Sequence, residues 1–136
     1  MKPIKSTRKH PEAELQRAVA KYLDLALPKH CWWTAIGHGG GGKIRGAQLK
    51  AMGVKPGVAD IMVLRPCVVN LGPVYETALR IIWIELKSAN GRQSADQERF
   101  ESLMCAMPDT YYCVARSVVD VAAALETAGV ELRARP

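Results

Sequence analysis

The 136-residue chain lacks several features, and each absence closes off a class of protein. No apolar run approaches the roughly 20 residues that cross a bilayer, so no transmembrane helix is expected. The basic opening stretch 1–10 has no apolar segment behind it and does not read as a secretory signal; a cytoplasmic location follows as an expectation. Cys31, Cys67, Cys105 and Cys113 form no C-x-x-C pair and have no zinc-finger spacing to a histidine. Reduced, mostly buried thiols are therefore expected. The glycine run Gly37-His-Gly-Gly-Gly-Gly42 is followed by Lys43 and then Ile44, not by the Lys-Ser/Thr of a phosphate-binding P-loop, so no nucleotide cofactor is expected. There is no internal repeat. The first nine residues contain no acid but carry Lys2, Lys5, Arg8 and Lys9, a basic flexible arm over 1–9.

What is present is ordinary for a globular domain, with 49% apolar and 24% charged residues. The length suits one domain, placed at 10–129 with a tail over 130–136, that buries about two-thirds of its unfolded surface. Nineteen Lys and Arg against thirteen Asp and Glu give a net charge of +6. That balance points to a polyanionic partner, nucleic acid before an anionic membrane surface.

Periodicity places a helix over 11–26, with Pro11 at its first position, Glu12 and Glu14 at its positive end, and an apolar stripe of Leu15, Ala18, Val19, Tyr22, Leu23 and Ala26. A strand follows over 31–36, in which Trp32 and Trp33 suit a core or an interface better than base stacking. The glycine run reads as a loop, in which His38 is more simply exposed than a DNA contact. A short helix over 47–52 is closed by Gly53. Strands are expected over 58–64, 79–87 and 111–115. The stretch 65–78, with Pro66, Gly72 and Pro73 among apolar residues, fits either a hairpin or a loose excursion. Ser94 and Gln97 make a capping-box pattern for a helix to about 106, and Ser117 caps a last helix ended by Gly129. The order α-β-α-β-β-α-β-α implies an α/β or mixed-sheet domain, its central sheet flanked by helices.

Asp60 stands alone in one apolar strand, and Glu85 and Lys87 end the most apolar one, on the same face as Trp83 and Ile81. Charges in such settings are costly unless paired or metal-bound. Two carboxylates on neighbouring strands make a hard oxygen site for Mg²⁺, and a lysine beside it can orient water and offset phosphate charge. An isolated Glu-x-Lys is equally met as an edge ion pair. Lys43, Arg45, Lys50 and Lys55 cluster about the glycine loop and short helix, as phosphate contacts or as a solvated basic face.

The surrounding motifs favour the sharper reading. Gly53-Val-Lys-Pro-Gly-Val-Ala-Asp60, Trp83-Ile-Glu-Leu-Lys87 and Gly91-Arg-Gln-Ser-Ala-Asp-Gln-Glu-Arg-Phe100 resemble, in order, the motifs of the VRR-NUC domain, a family of the PD-(D/E)XK nuclease superfamily. Pro11-Glu-Ala-Glu-Leu-Gln16 resembles that family's first helix, and the likeness extends over about 10–118. Ala59 stands where the family usually has proline, and 65–80 looks longer than a minimal member needs.

The resemblance implies a restriction-endonuclease-like core and hydrolysis of DNA phosphodiester bonds with Mg²⁺ or Mn²⁺. It implies Asp60, Glu85 and the backbone carbonyl of Leu86 as metal ligands, Lys87 as the group that positions the attacking water, and Gln97 as a polar contact at the site. An acid from the first helix belongs to such sites. Glu12, in line with Val19 and Leu23, suits that place better than Glu14, although it also suits a solvated first turn. Branched DNA such as a Holliday junction is the expected substrate, with a flap-type nuclease or a non-catalytic basic module as alternatives. A homodimer and a role in DNA recombination or repair complete the expectation.

Overall fold

The computed structural model describes residues 10–37 and 42–136. The expected arm 1–9 and the glycine stretch 38–41, with His38, lie outside the described residues.

Helix α1 (Pro11–Ala26) runs as its periodicity requires: Val19, Tyr22, Leu23 and Ala26 are its buried face. It stops at Leu27, which turns to extended backbone ahead of Pro28 as a residue before proline prefers. Strand β1 (Trp32–Ala35) is short. Trp32 is exposed, contrary to a core role, whereas half-buried Trp33 donates its indole N–H to Asp24 at 2.8 Å.

Helix α2 (Gly42–Ala51) begins five residues before the expected start at 47. Lys43, Ile44 and Arg45 are adequate helix formers, and Gly46 costs the helix only about 1 kcal/mol, so the glycines do not break it. None of its residues is buried.

Strands β2 (Ile61–Asn70) and β3 (Tyr75–Leu86) form a long antiparallel hairpin in which Asn70 pairs with Tyr75. Of the two forms expected for 65–78, the structure has the hairpin, with 71–74 as its turn. Beyond Leu64, β2 has lost its β1 neighbour, and a strand with a free outer edge accommodates Pro66. The tip is closed by Leu71 N–H to the Val74 carbonyl at 2.9 Å and by Asn70 Oδ1, which accepts from Gly72 N–H at 2.9 Å.

Helix α3 (Ala95–Cys105) carries the chain across to strand β4 (Thr110–Ala115), which lies parallel to β3, and helix α4 (Val118–Thr127) follows. The sheet order is β1-β2-β3-β4. Alternation along β3 divides its faces. Ile82, Ile84 and Leu86 join Ile61, Val63, Leu23 and Leu125 in a core shared with α1 and α4. Trp83 faces the other way, edge-on to Phe100 of α3 at 5.1 Å. The chain is an α/β domain with a mixed sheet between helices.

Residues 130–136 dock on the end of α1. Val130 is in the core, Arg133 donates from its backbone to the Ala26 carbonyl at 2.8 Å and from Nε to the Leu27 carbonyl at 2.7 Å, and Tyr22 Oη–H reaches the Ala134 carbonyl at 2.9 Å. Carbonyls left open at a helix end are satisfied this way. All four cysteines are free, but Cys105 is exposed and the others only half-buried, so the expectation of mostly buried thiols holds less well than that of reduced ones. Among the described residues no helix is long and apolar enough to cross a membrane.

Candidate active site

Four chain segments meet at one end of the sheet: the entry to β2, the exit of β3, and the first turns of α3 and α1. Asp60 sits immediately before β2 rather than within a strand. Its carbonyl accepts from Ile36 N–H at 2.7 Å, and its Oδ2 accepts from Leu86 N–H at 2.8 Å. The carboxylate is thereby turned toward the end of β3.

Glu85 is 1% exposed. Its Oε1 receives Lys87 Nζ at 2.9 Å and Gln97 Nε2 at 2.5 Å. Its Oε2 is buried with no hydrogen-bond partner among the described residues. Burial raises the Glu85 carboxyl above its ordinary pKa; the hydrogen bond and charge of Lys87 oppose this, and the charges of Asp60 and Glu12 add to it. Lys87, the first residue past β3, is itself 8% exposed. A buried pair of this kind is retained at a desolvation cost, which is a recurring property of functional sites.

Gln97 has both of the contacts its sequence context allows. Its Oε1 accepts from Ser94 N–H at 2.8 Å while Ser94 Oγ accepts from Gln97 N–H, which completes the capping box, and its Nε2 remains for Glu85. One side chain therefore ties the start of α3 to the strand carboxylate. Glu12 reaches the loop after β3: its Oε1 accepts from Ser88 N–H at 3.3 Å. A β-carbon at Gly91 would stand 3.1 Å from the same oxygen, so a larger residue there would press on Glu12 and shift it by a few tenths of an ångström.

A groove of about 440 Å³ opens beside Asp60 and Gln97, walled by Lys50, Lys55, Gly57 and Asp96. Two of the four expected phosphate contacts thus line it. Lys43 and Arg45 are on α2 and exposed, but do not line the groove.

The residues present suit a hard divalent ion. Asp60 and Glu85 supply carboxylate oxygens, and the orphaned Oε2 of Glu85 is a buried acceptor in need of a partner. Leu86 N–H faces Asp60, and a strand residue's carbonyl shares the side of its N–H. Among the described residues no group of three or more His, Cys, Asp and Glu is gathered to hold a metal, so any ion there keeps waters, as Mg²⁺ commonly does.

Several supporting residues were not legible in the sequence. Gln93 Nε2 donates to Glu101 Oε2 at 2.9 Å and to Tyr112 Oη at 3.1 Å, behind the site. Burial, with Glu85 as the next contributor, pushes the Tyr112 phenol well up. Arg116 grips the loop after β3. None carries a local pattern; each is recognised only through partners distant in sequence.

No protein-family model matches the chain, and no curated protein matches it. A solved structure described as a VRR_NUC domain protein does match, with a TM-score of 0.57 over 88% of this chain and 88% of that chain, at 18% identity. At that identity the likeness speaks for the fold: the mixed sheet and its flanking helices are arranged as in a VRR_NUC domain protein.

Proposed function

We propose that the protein is a Mg²⁺- or Mn²⁺-dependent, structure-specific DNA endonuclease that hydrolyses phosphodiester bonds in branched DNA such as Holliday junctions. The observation that carries this reading is the convergence of Asp60, Glu85 and Lys87 beside a lysine-lined groove, with one Glu85 oxygen buried and without a hydrogen-bond partner among the described residues. The fold shared with a VRR_NUC domain protein supports it.

In this reading Asp60, Glu85 and the Leu86 carbonyl hold the ion, with Glu12 nearby through the loop after β3. The bound ion would supply Lewis-acid polarisation of the phosphate and a more acidic water. Lys87 orients the attacking water and offsets negative charge that grows on the phosphate oxygens as the phosphorus–oxygen bond to the leaving strand breaks. Gln97 steers the Glu85 carboxylate and holds the α3 N-terminus, whose free N–H groups favour phosphate, beside it. Lys50 and Lys55 in the groove, with Lys43 and Arg45 on α2, contact the DNA backbone and supply affinity without sequence.

A homodimer belongs to the same reading. The outer half of the β2–β3 hairpin leaves Val68 and Tyr75 each 70% exposed, with Leu71 and Val74 beside them, more apolar surface than a monomer usually leaves in water. A two-fold copy would bring two sites to the opposed strands of a junction.

A cleavage panel of duplex, flap, splayed and four-way DNA, with Mg²⁺ or Mn²⁺, tests the function. Cutting of the four-way substrate that is abolished in Asp60→Ala and Lys87→Ala, with DNA binding kept in the latter, supports it. DNA binding without cutting of any substrate would overturn it in favour of a non-catalytic module. Sedimentation of the active protein as a monomer at micromolar concentration would overturn the dimer.

A further inference from the structure

The loop over 88–91 joins the exit of β3 to the run that starts α3, and it has few bonds of its own. Gly91 N–H reaches the Ser88 carbonyl at 3.1 Å. The hydrogen bonds that fix it come from elsewhere. Glu12 Oε1 takes the N–H of Ser88. Arg116 Nη1 shares its two N–H groups among three carbonyls, those of Ser88, of Ala89 at 3.3 Å and of Gly91 at 2.9 Å.

Arg116 is itself held. It follows β4 directly, where Lys87 N–H closes the β3–β4 pairing on the Ala115 carbonyl at 3.0 Å. Its backbone N–H is taken by Asp120 Oδ2 at 2.9 Å, and Asp120 N–H is in turn taken by the Ser117 cap of α4 at 3.1 Å. The guanidinium therefore projects from a rigid helix start onto the loop. A planar cation with fixed donors is suited to gathering several carbonyls at once, and loses little freedom on doing so. Among the described residues no carboxylate forms a salt bridge with it, so its charge is directed at backbone dipoles.

We propose that Arg116 is a positioning residue for the site. By clamping the 88–91 loop it fixes where Ser88 presents its N–H, hence where Glu12 stands, and it anchors the backbone immediately after Lys87. The proposal rests on the nuclease reading for its effect on turnover, but not for its effect on the loop. The rival role for an exposed arginine in a basic protein is a direct phosphate contact, which would alter substrate binding rather than turnover.

The test compares wild type, Arg116→Ala and Arg116→Lys by steady-state cleavage with Mn²⁺ and by amide hydrogen exchange. In Arg116→Ala, kcat should fall tenfold or more with KM within twofold, and exchange at 88–91 should speed up at least tenfold while the β2 core amides stay protected. Arg116→Lys, with three donors on one nitrogen, should recover most of both. In a Glu12→Gln background, Arg116→Ala should cost little more, because both act through one loop. Unchanged kcat, a raised KM with kcat kept, full additivity with Glu12→Gln, or unchanged loop exchange would each overturn the proposal. If wild type cuts nothing, the nuclease reading fails on its own, and loop exchange alone decides for or against the clamp. If Arg116→Ala does not fold, Arg116→Gln carries the same measurements.

Discussion

Gly57 stands so close to Asp96 that a β-carbon at position 57 would lie 2.4 Å from the Asp96 carbonyl carbon and oxygen. Its φ of +86° is also in the region that favours glycine. The turn before Asp60 therefore presses on the first turn of α3 with nothing between them, where Gly57, Asp96 and Gln97 all line the groove. The second glycine of the Gly53–Asp60 motif is required by this approach as much as by the turn itself.

Gly57→Ala should destabilise the domain by about 2 kcal/mol or more, through strain at a left-handed position together with the clash. Gly46→Ala is the contrasting change. A β-carbon there meets nothing within 4 Å, and α2 should gain about 1 kcal/mol of helix propensity. Urea denaturation of the two variants should move in opposite directions; equal shifts would refute the argument.

Metal binding is readable without cleavage. Mn²⁺ at a hundredfold excess over its dissociation constant should stabilise the folded protein by about 2.7 kcal/mol, seen as a higher thermal midpoint that a chelator reverses. Asp60→Ala should lose the shift, whereas Lys50→Ala should keep it. A shift of the same size in Asp60→Ala would remove Asp60 from the ligand set.

The groove lysines should act uniformly across DNA sequences. Replacing Lys50 and Lys55 together by alanine should lower the slope of log affinity against log salt by about 0.9 per lost phosphate contact on duplex DNA. An unchanged slope would place the DNA elsewhere.

Burial pushes the Cys113 thiol from its ordinary 9.0 up to about 12, with Asp120 adding to it. A folded-state pKa raised above the unfolded one contributes stability that is full below pH 9 and is lost as pH rises toward 12. Between those limits the stability should fall by up to about 1.4 kcal/mol per pH unit from this group. Cys113→Val should flatten the slope, and a cavity of about 250 Å³ alongside leaves room for the added methyl group. A thiol reagent at pH 8 should modify exposed Cys105 well before Cys113. Labelling of Cys113 at the same rate in the folded protein would contradict its burial.

Local chemistry made much of this molecule legible in its sequence. The stripe of α1, the Ser94–Gln97 box and the Ser117 cap each lie within one or two helical turns, so reading the residues in order was enough. The same holds for Glu85 and Lys87, brought together by strand alternation alone. Legibility failed where a tertiary setting overrides a local signal. Pro66 breaks a central strand but sits on a free edge of β2, and the glycines about 42–46 fall within what a solvent-facing helix tolerates. Arg116 was invisible for a different reason: its partners are backbone carbonyls 25 or more residues away, and a carbonyl has no sequence signature.

The clasp between α1 and the 130–136 stretch has a consequence for the order in which the chain acquires its structure. Tyr22 waits for a partner 112 positions later, and the Leu27 carbonyl for one 106 positions later. At roughly 5–20 residues per second of synthesis, α1 emerges about 5–20 s before the groups that close its far end. Contacts of such separation are slow to form because loop closure must precede them. During that interval the Tyr22 and Ala26 part of that face, whose cluster partners Val118, Ala122, Leu132 and Ala134 are made last, is left as apolar surface of the kind that chaperones shield.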